Sequence, residues 1–369
     1  MSVVPAGHAR KSVVLVYSGS RNPGGAEAYL EALFRSYHRE DLKLVLISLG
    51  NWDVTGVLAS SGAKVFVLSS RRVRPRTALE IAGIAKAERA DLIVSQGVVG
   101  NFYGRVASAV SRVPNLVIVH SLLSSDYANP WIRKAYELLE KTMRRFTRHY
   151  VVVSGFLKSA LIEAGVPADR VTLVYNGVGL KAMPAKTAPL GTGTRIVLGS
   201  MGRLHEVKNY YGLISAMSLL DSSVCLVIWG EGEERGRLEE IISIRGLEDR
   251  VTLAGWSGSL EHVLSTADVY VQTSFSEGFG MAVVEAMLAA KPIVVTPGGS
   301  LPEIIDDGRT GIVSDGFSAE EIAAAIMRML EREEAAREMA EAACEEAQNR
   351  FSVETWASRI SAVLVRQAQ

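Results

Sequence analysis

The amino-acid sequence predicts an α/β protein made of two Rossmann-like domains, each a doubly wound parallel sheet. Short apolar runs alternate with longer stretches of helical period along most of the 369 residues, which is the pattern of repeated βαβ units. Most of these runs are apolar throughout, as expected of parallel strands that are buried on both faces. The alternation stops at 181–194, where Pro and Gly residues indicate an interdomain linker.

The linker predicts domains at 1–180 and 181–350. Ligands of such sheets bind at the carboxyl ends of the strands, so we expect a substrate cleft between the two domains. The predicted strands are Val13–Tyr17, Leu44–Ile47, Val65–Leu68, Leu92–Ser95, Leu116–His120, Tyr150–Val153, Val171–Val174, Arg195–Gly199, Val224–Trp229, Val251–Ala254, Val269–Gln272 and Pro292–Thr296. The predicted helices are 26–38, 76–89, 131–148, 233–244, 280–290 and 318–347.

The composition is that of a globular protein. Hydrophobic residues make up 48% and charged residues 22% of the chain, which excludes disorder, collagen and coiled coil. Two cysteines, Cys225 and Cys344, give neither a disulfide framework nor a zinc-binding pattern. No apolar run approaches the roughly 18–20 residues of a membrane span, and the N-terminus lacks the features of a signal peptide. We therefore expect a cytoplasmic protein.

The net charge of zero is a cancellation between the two halves. Residues 1–185 hold 24 Lys and Arg and 13 Asp and Glu, whereas residues 186–369 hold 16 and 27. The first half therefore carries a net charge of +11 and the second half −11. Such asymmetry directs the search for anionic partners to the first half.

The segment 276–287 carries the most chemical information. Glu277 precedes a Gly-x-Gly turn that ends at Gly280, and Glu285 lies inside the helix predicted to follow. The amide groups at the start of that helix, at Gly280, Met281 and Ala282, suit an anion, and each carboxylate could accept hydrogen bonds from sugar hydroxyls. The alternative is an ordinary helix start with an acidic residue near its first turn.

Three further segments follow predicted strands. Arg203 and Lys208 come after the first strand of the second half, where a guanidinium and an ammonium suit a diphosphate; each could also be a solvated loop cation. Gly24 and Gly25 stand between the first strand and the first helix, as a phosphate-approach loop or a simple turn. His120 ends a strand, where it could be either a residue of the cleft or a structural histidine.

Together these motifs resemble glycosyltransferase family 4, the retaining nucleotide-sugar transferases of GT-B fold. The most specific features are the two glutamates of 277–285 and the Arg203–Lys208 pair. The supporting motifs are Gly24-Gly25-Ala26-Glu27, Val153–Lys158, Tyr175-Asn176-Gly177-Val178, Gly230-Glu231-Gly232, Ala254-Gly255-Trp256, and Gly298-Gly299 with Glu303.

The resemblance implies a role for each of these residues. Glu277 would bind hydroxyls of the transferred sugar, Glu285 the ribose diol, and Arg203 and Lys208 the diphosphate. Backbone amides at Gly24, Gly25 and Gly280–Ala282 would contact the donor, and His120 would contact the donor sugar. Gly230 and Leu253 would border the base. A C-terminal helix at 351–369, with Trp356, would pack on the first domain.

The resemblance implies a glycosyltransferase that moves a hexose-type sugar from a nucleotide-diphosphate donor, a UDP- or GDP-sugar, to an acceptor hydroxyl. The sequence has no Asp-x-Asp motif, so we expect neither a metal nor another cofactor; cations and a helix N-terminus would stabilise the leaving diphosphate. Two alternatives stay open, a nucleotide-sugar 2-epimerase of the same fold and a non-catalytic partner subunit. A dehydrogenase is disfavoured because the first turn lacks Gly-x-Gly-x-x-Gly.

The acceptor is expected to be a glycan or a lipid-linked molecule of envelope polysaccharide, lipopolysaccharide or glycolipid synthesis. Basic residues cluster at Arg71–Arg76 and along Trp131–Tyr150, where Trp131, Leu138 and Met143 are interleaved with them. Such stretches can hold a protein on anionic lipid, here at the inner face of the cell membrane, and the alternative is a solvated basic face. Aromatic stacking platforms are absent from these stretches, so nucleic acid is not expected as a partner.

Overall fold

The computed structural model describes residues 10–18, 25–37, 40–50, 52–68, 74–122, 130–179, 195–257 and 260–369. The chain divides into two compact units. The first unit is Met1–Gly177 together with Val353–Gln369, and the second is Val178–Ser352. The predicted linker at 181–194 lies outside the described residues.

The first unit is built on a seven-stranded parallel sheet with the strand order β3-β2-β1-β4-β5-β6-β7. The order changes direction between β1 and β4, and such a switch point is where open α/β sheets bind ligands. The strands are β1 (Lys11–Tyr17), β2 (Leu42–Ser48), β3 (Lys64–Val67), β4 (Leu92–Gln96), β5 (Asn115–Val119), β6 (His149–Val152) and β7 (Val171–Leu173).

Seven helices of the described residues belong to this unit. They are α1 (Gly25–Ser36), α2 (Asp53–Ser60), α3 (Pro75–Ala87), α4 (Val98–Ser111), α5 (Pro130–Met143), α6 (Gly155–Glu163) and α14 (Val353–Gln367). The predicted helix 131–148 is too long, because the α-helix ends at Met143 and a 3₁₀ turn, Arg144–Phe146, leads into β6.

The second unit repeats the architecture with a six-stranded parallel sheet of order β10-β9-β8-β11-β12-β13. The switch point here lies between β8 and β11. The strands are β8 (Ile196–Met201), β9 (Val224–Trp229), β10 (Val251–Gly255), β11 (Val269–Gln272), β12 (Ile293–Val295) and β13 (Ile312–Val313). The last strand has only two residues, too few to form a recognisable apolar run.

The helices of the second unit correct a further prediction. The stretch 318–347, predicted as one helix, is two helices, because the chain turns to an extended conformation at Arg332 where neither Gly nor Pro marks the break. Ser318 and Glu321 form a capping box at the start of the first of them. The helices are α7 (Tyr210–Ala216), α8 (Arg235–Ile244), α9 (Leu260–Thr266), α10 (Met281–Leu288), α11 (Leu301–Ile304), α12 (Ala319–Leu330) and α13 (Glu333–Arg350).

The C-terminal helix α14 packs into the core of the first unit. Trp356 is 2% exposed and shares a buried cluster with Leu30 and Leu33 of α1. Its ring meets that of Tyr29 edge-on, with centroids 4.9 Å apart. A Cβ at Gly177 would lie 2.7 Å from the Cβ of Trp356, so a larger residue at 177 would push the helix away.

None of the described helices combines the length and the apolarity needed to cross a membrane.

We expect Trp356→Ala to lower the free energy of unfolding of the first unit by about 3–5 kcal/mol, because it leaves a cavity between α14 and α1. Urea unfolding followed by circular dichroism measures the change. Arg359→Ala, on the exposed side of the same helix, is the control and should stay within about 0.5 kcal/mol of the wild type. Equal transitions for the two variants would contradict the packing role of Trp356.

Candidate active site

The predicted diphosphate and sugar residues of the second unit meet at its switch point. The loop after β8 carries Arg203 and Lys208, and the loop after β11 carries Glu277. Both strands are parallel neighbours in the sheet, so their carboxyl ends lie side by side.

The carboxylate of Glu277 is held by three side-chain donors. Its Oε1 atom accepts hydrogen bonds from Lys208 Nζ at 2.5 Å, Ser274 Oγ at 2.6 Å and Gln272 Nε2 at 2.9 Å. Tyr270 fixes the amide of Gln272 by donating to its Oε1 atom at 3.0 Å. Among the residues that the structure describes, no donor reaches Glu277 Oε2. One oxygen is therefore anchored, and the other is available to a ligand.

Lys208 and Glu277 form a partly shielded ion pair, with side chains 20% and 14% exposed. Lys208 ends a 3₁₀ turn, Glu206–Lys208. An ammonium has three N–H donors, so Lys208 can bind Glu277 and an anionic ligand at the same time.

Backbone contacts hold the two loops together. The amide of Phe275 donates to the carbonyl of Val207 at 2.8 Å, and the hydroxyl of Thr273 donates to the carbonyl of Lys208 at 3.0 Å. These bonds fix Lys208 against the loop that carries Glu277. The pair is therefore positioned by main chain as well as by its own charges.

Two glycines of the loop after β12 leave room for the backbone of the loop that carries Glu277. A Cβ at Gly298 would collide with the carbonyl of Ser274, and one at Gly299 would collide with the backbone of Glu277. Gly299 also has a φ of +63°, a conformation that favours glycine. The amide of Ser300 then donates to the Glu277 carbonyl at 3.0 Å.

Arg203 is exposed and its guanidinium has no hydrogen-bond or ion-pair partner within the described ranges. It follows Gly202, whose amide donates to the carbonyl of Trp229 at 3.0 Å. The backbone at the end of β8 is therefore fixed while the arginine side chain is left to bind a ligand.

Helix α10 starts directly beside this site. Gly280 has a φ of +77° and caps the helix, and its carbonyl accepts the amide of Val283 at 3.0 Å. Met281 and Ala282 form the first turn, where backbone amides point out of a helix.

Glu285, one turn further along α10, differs from Glu277 in its surroundings. It is half-buried, and no described residue donates a hydrogen bond to its carboxyl group. Burial without a compensating partner raises the pKa of Glu285 to about 7. A ligand that presents hydroxyl groups to this carboxyl would supply the missing donors.

The predicted base-pocket residues lie at the carboxyl ends of β9 and β10. The amide of Gly230 donates to the carbonyl of Gly255 at 2.8 Å, and a side chain at 230 would collide with the carbonyl of Gly202. Leu253 is half-buried, and its carbonyl accepts from Arg235 at 3.2 Å.

In the first unit, His120 follows β5 and lies beside the switch point of that sheet. Its Nε2 atom is 2.9 Å from Oε1 of Gln96, which ends β4, and its ring meets that of Tyr29 with centroids 4.9 Å apart. Burial lowers the pKa of His120 to about 4, so the imidazole is neutral at pH 7. Gly25 begins α1, and Gly24 lies outside the described residues.

Several polar residues of these two edges had no sequence signal of their own. Gln272 and Ser274 bind Glu277, Gln96 binds His120, and Tyr17 donates to Glu27. Each lies at or just beyond the carboxyl end of a strand, and that position is the one feature that could have identified them.

Two family models match the chain in sequence. The model described as Glycosyltransferase Family 4 matches residues 23–181, and the model described as Glycosyl transferases group 1 matches residues 185–346. Together they account for most of the chain. The chain is a glycosyltransferase of the family 4 type.

Curated relatives agree with this assignment. The chain is 27% identical over 262 residues to alpha-D-kanosaminyltransferase of Streptomyces kanamyceticus, covering 65% of this chain and 67% of the relative. It is 33% identical over 266 residues to D-inositol 3-phosphate glycosyltransferase of Arthrobacter sp. (strain FB24), covering 63% of this chain and 60% of the relative. The matches thus span about two thirds of these relatives.

Solved structures share the GT-B fold over nearly their whole length. Anabaena Alr3699/HepE, crystallised in complex with UDP and glucose, has a TM-score of 0.84 at 24% identity, covering 97% of this chain and 100% of that structure. Sucrose-phosphate synthase from Thermosynechococcus elongatus has a TM-score of 0.81 at 19% identity, covering 97% and 99%. The predicted two-domain GT-B architecture is therefore confirmed.

We expect Glu285 to lower the stability of the protein as pH rises from about 4.5 to about 7, because over this interval folded Glu285 keeps a proton that the unfolded chain loses, whereas the lowered pKa values of His120 and His149 act in the opposite direction. Glu285→Gln removes this dependence. The variant should match the wild type near pH 4 and exceed it by roughly 3 kcal/mol at pH 8, since one pKa unit corresponds to about 1.36 kcal/mol.

Urea unfolding across this pH range measures the difference. Glu240→Gln, at an exposed position of α8, is the control and should track the wild type at every pH. A constant offset between Glu285→Gln and the wild type would contradict the raised pKa.

Proposed function

We propose that the chain transfers a hexose-type sugar from a nucleotide-diphosphate donor to an acceptor hydroxyl, with retention of configuration at the sugar C1. The observation that carries this proposal is the Lys208–Glu277 ion pair at the switch point of the second sheet. Arg203 lies beside it, and its guanidinium has no partner among the described residues. This arrangement offers two cations and one available carboxylate oxygen to a single ligand.

The cations suit the leaving group. As the bond between C1 and the diphosphate oxygen breaks, negative charge grows on the diphosphate and positive charge grows at C1. Arg203, Lys208 and the amides that begin α10 would stabilise the developing anion without reorganisation. The acceptor oxygen forms the new bond to C1, and its proton passes to the departing phosphate on the same face.

The carboxylates suit the neutral parts of the donor. Glu277 Oε2 would accept hydrogen bonds from hydroxyls of the transferred sugar, while Oε1 stays on Lys208, Ser274 and Gln272. Glu285 would accept the ribose hydroxyls, which supply the donors that its carboxyl group lacks. Gly230 and Leu253 would border the base, and the amides at Gly24 and Gly25 would approach the phosphates.

The neutral state of His120 fits contact with the donor sugar. An imidazolium near C1 would oppose the positive charge that develops there, whereas a neutral imidazole can exchange a hydrogen bond with a sugar hydroxyl. Because Gln96 binds Nε2, Nδ1 is the atom we assign to this contact.

A UDP- or GDP-sugar is the proposed donor, and neither a metal ion nor another cofactor is invoked. The structural relative Anabaena Alr3699/HepE was crystallised in complex with UDP and glucose, which supports a uridine nucleotide. The described residues contain no group of three His, Cys, Asp or Glu side chains placed to hold a metal ion.

A lipid-linked or envelope glycan acceptor, met at an anionic membrane surface, is the second part of the proposal. On α5, Trp131 is 78% and Leu138 is 63% exposed, and Lys134 lies 5.7 Å from the centre of the Trp131 ring. With Lys141, one turn further on, apolar and basic side chains alternate at helical spacing on an exposed face. Of the basic segment Arg71–Arg76, residues 71–73 lie outside the described residues.

The same helix is fixed to the unit by a partly buried ion pair. Arg105 of α4, 2% exposed, donates to both carboxylate oxygens of Glu140, at 2.7 and 2.5 Å. This bidentate contact lies away from the exposed residues of α5, so the apolar and basic side chains are presented by an anchored helix.

We expect Lys208→Ala, Arg203→Ala and Glu277→Ala each to lower turnover of the donor at least 100-fold, as loss of a preorganised transition-state contact does. The assay measures nucleoside diphosphate release from UDP-, GDP-, ADP- and TDP-sugars and the anomeric configuration of the product. Arg328→Ala, which removes only a surface ion pair with Asp307, is the matched control.

Near-normal turnover in any two of the three variants would contradict the donor site. Release of UDP and N-acetylmannosamine from UDP-N-acetylglucosamine alone would instead identify a 2-epimerase. A folded wild-type chain that binds no nucleotide sugar and turns none over would favour a non-catalytic subunit.

We expect Trp131→Ala/Leu138→Ala to lower binding to vesicles of phosphatidylcholine with phosphatidylglycerol at least tenfold, because each side chain contributes about 1.5–3 kcal/mol when it leaves water. Vesicle co-sedimentation at low salt measures the bound fraction. The control is Ile244→Ala, which removes a 71%-exposed side chain of the second unit. Failure of the wild type to bind these vesicles would refute membrane association.

A further inference from the structure

A basic cavity lies at the amino edge of the first sheet, away from the carboxyl edge that holds His120. Its volume is about 470 Å³, and it is formed where β5, β6 and β7 begin and where α4 ends. Four arginines from three segments line it: Arg112, Arg145, Arg148 and Arg170.

No carboxylate of the described residues lies within ion-pair distance of these four guanidinium groups. Arg112 and Arg148 are exposed, and neither side chain has a hydrogen-bond partner in the described parts of the chain. Arg145 packs over the ring of Phe146, 4.8 Å from its centre, which fixes its position without neutralising its charge. The acidic residue of this region is Asp169, whose side chain is exposed.

Arg170 is partly engaged with the cavity wall. Its Nε atom donates to the carbonyl of Arg148 at 3.1 Å, and one terminal nitrogen donates to the carbonyl of Thr147. A guanidinium has five N–H donors, so the remaining ones can still serve a ligand. The two bonds hold the side chain in place.

Three backbone carbonyls of the cavity wall are already paired from within the protein. The carbonyl of Val113 accepts from the Ser108 hydroxyl at 2.6 Å, that of Pro114 from the amide of Ile93 at 2.9 Å, and that of Asn115 from the amide of Arg148 at 2.7 Å. The amide group of Asn115 donates into the sheet, to Ser95 Oγ at 3.1 Å. Asn115 Oδ1 is buried without a partner. The arginines of the wall offer spare donors and positive charge, which suit a ligand rich in anionic acceptors.

Nearby charges affect the pKa of His149, which begins β6 and binds the hydroxyl of Thr172 at 2.8 Å. Burial is the main cause that lowers this pKa. Arg366 of α14 and Arg170 lower it further, Asp169 opposes them, and Arg148 has the smallest effect. Of the four cavity arginines, Arg170 therefore contributes most to the positive potential at this imidazole.

We propose that this cavity is a binding site for a phosphate-bearing anion, with Arg112 and Arg148 as the principal ligands and Arg145 and Arg170 as supporting ones. Planar guanidinium groups match the paired oxygens of a phosphate, and the cavity is large enough for one or two phosphate groups. The phosphate can belong to a phospholipid headgroup or to a soluble phosphorylated molecule. The site does not depend on the proposed sugar transfer.

The test measures binding of pyrophosphate by calorimetry in an Arg203→Ala/Lys208→Ala background, so that the proposed donor site does not contribute. We expect Arg112→Gln/Arg148→Gln to weaken this binding at least tenfold. Lys86→Gln/Arg359→Gln removes the same charge from exposed positions of α3 and α14 and should leave it within twofold. Circular dichroism checks that each variant is folded.

A second arm measures binding to vesicles of phosphatidylcholine with or without phosphatidic acid. Loss of pyrophosphate binding in the Arg112/Arg148 variant supports a soluble ligand, and loss confined to phosphatidic acid vesicles supports a lipid headgroup. Equal binding by this variant and by the Lys86/Arg359 control, or no binding of either probe by the background protein, would overturn the proposal. Neither arm depends on turnover, so a failed transfer assay does not affect the outcome.

Discussion

The organisation of the candidate site in the second unit depends on how the carboxylate of Glu277 is held. A partly buried carboxylate is costly unless it is paired and hydrogen-bonded. Here one oxygen takes an ammonium, a hydroxyl and an amide. The ammonium comes from the loop after β8, whereas the amide and the hydroxyl come from the end of β11 and the loop that follows it. Gly298 and Gly299, after β12, leave room for the backbone of this second loop. The position of Lys208 and the direction of the other Glu277 oxygen both follow from this arrangement.

The charge distribution separates the two kinds of anion binding proposed above. The second half has a net charge of −11, so Arg203 and Lys208 would act at short range within an acidic surrounding, with the help of the α10 amides. The first half has a net charge of +11, and its exposed cations on α5 and around the amino-edge cavity would act together. Long-range attraction of anions would thus belong to the first half, and local discrimination to the second.

Much of the fold was predictable because continuous apolar runs mark buried parallel strands. β9 and β11 have the predicted bounds, Val224–Trp229 and Val269–Gln272. The local sequence pattern does not show the break between two helices at Arg332. Contacts within 318–350 determine it. An Ala- and Glu-rich stretch has uniform helix propensity, so only packing against the rest of the unit determines where one helix ends and the next begins.

Some residues of the candidate site were predictable from the local sequence, whereas others depend on how the fold brings separate segments together. Glu277, Arg203 and Lys208 stood out because they lie in loops that follow predicted parallel strands, where open α/β sheets bind ligands. Gln272 and Gln96 did not, because a single amide at a strand end has many ordinary uses. The four arginines of the amino-edge cavity lie between positions 112 and 170, and only the parallel arrangement of β5, β6 and β7 brings them together.

Glu285 shows that a side chain suited to ligand binding can lower the stability of the unit that carries it. Glu277 is satisfied by the protein itself, whereas Glu285 has burial without a donor and a pKa of about 7 as the consequence. Replacing it with a residue that needs no charge would stabilise the fold, so its presence is best explained by a ligand that completes its hydrogen bonds. A ribose diol does so only if the carboxyl accepts both hydroxyls, which requires the ionised form. Under the proposed function, donor binding releases a proton near pH 7, and the desolvation cost of the ionised carboxylate becomes part of the selectivity for a ligand with two adjacent hydroxyls.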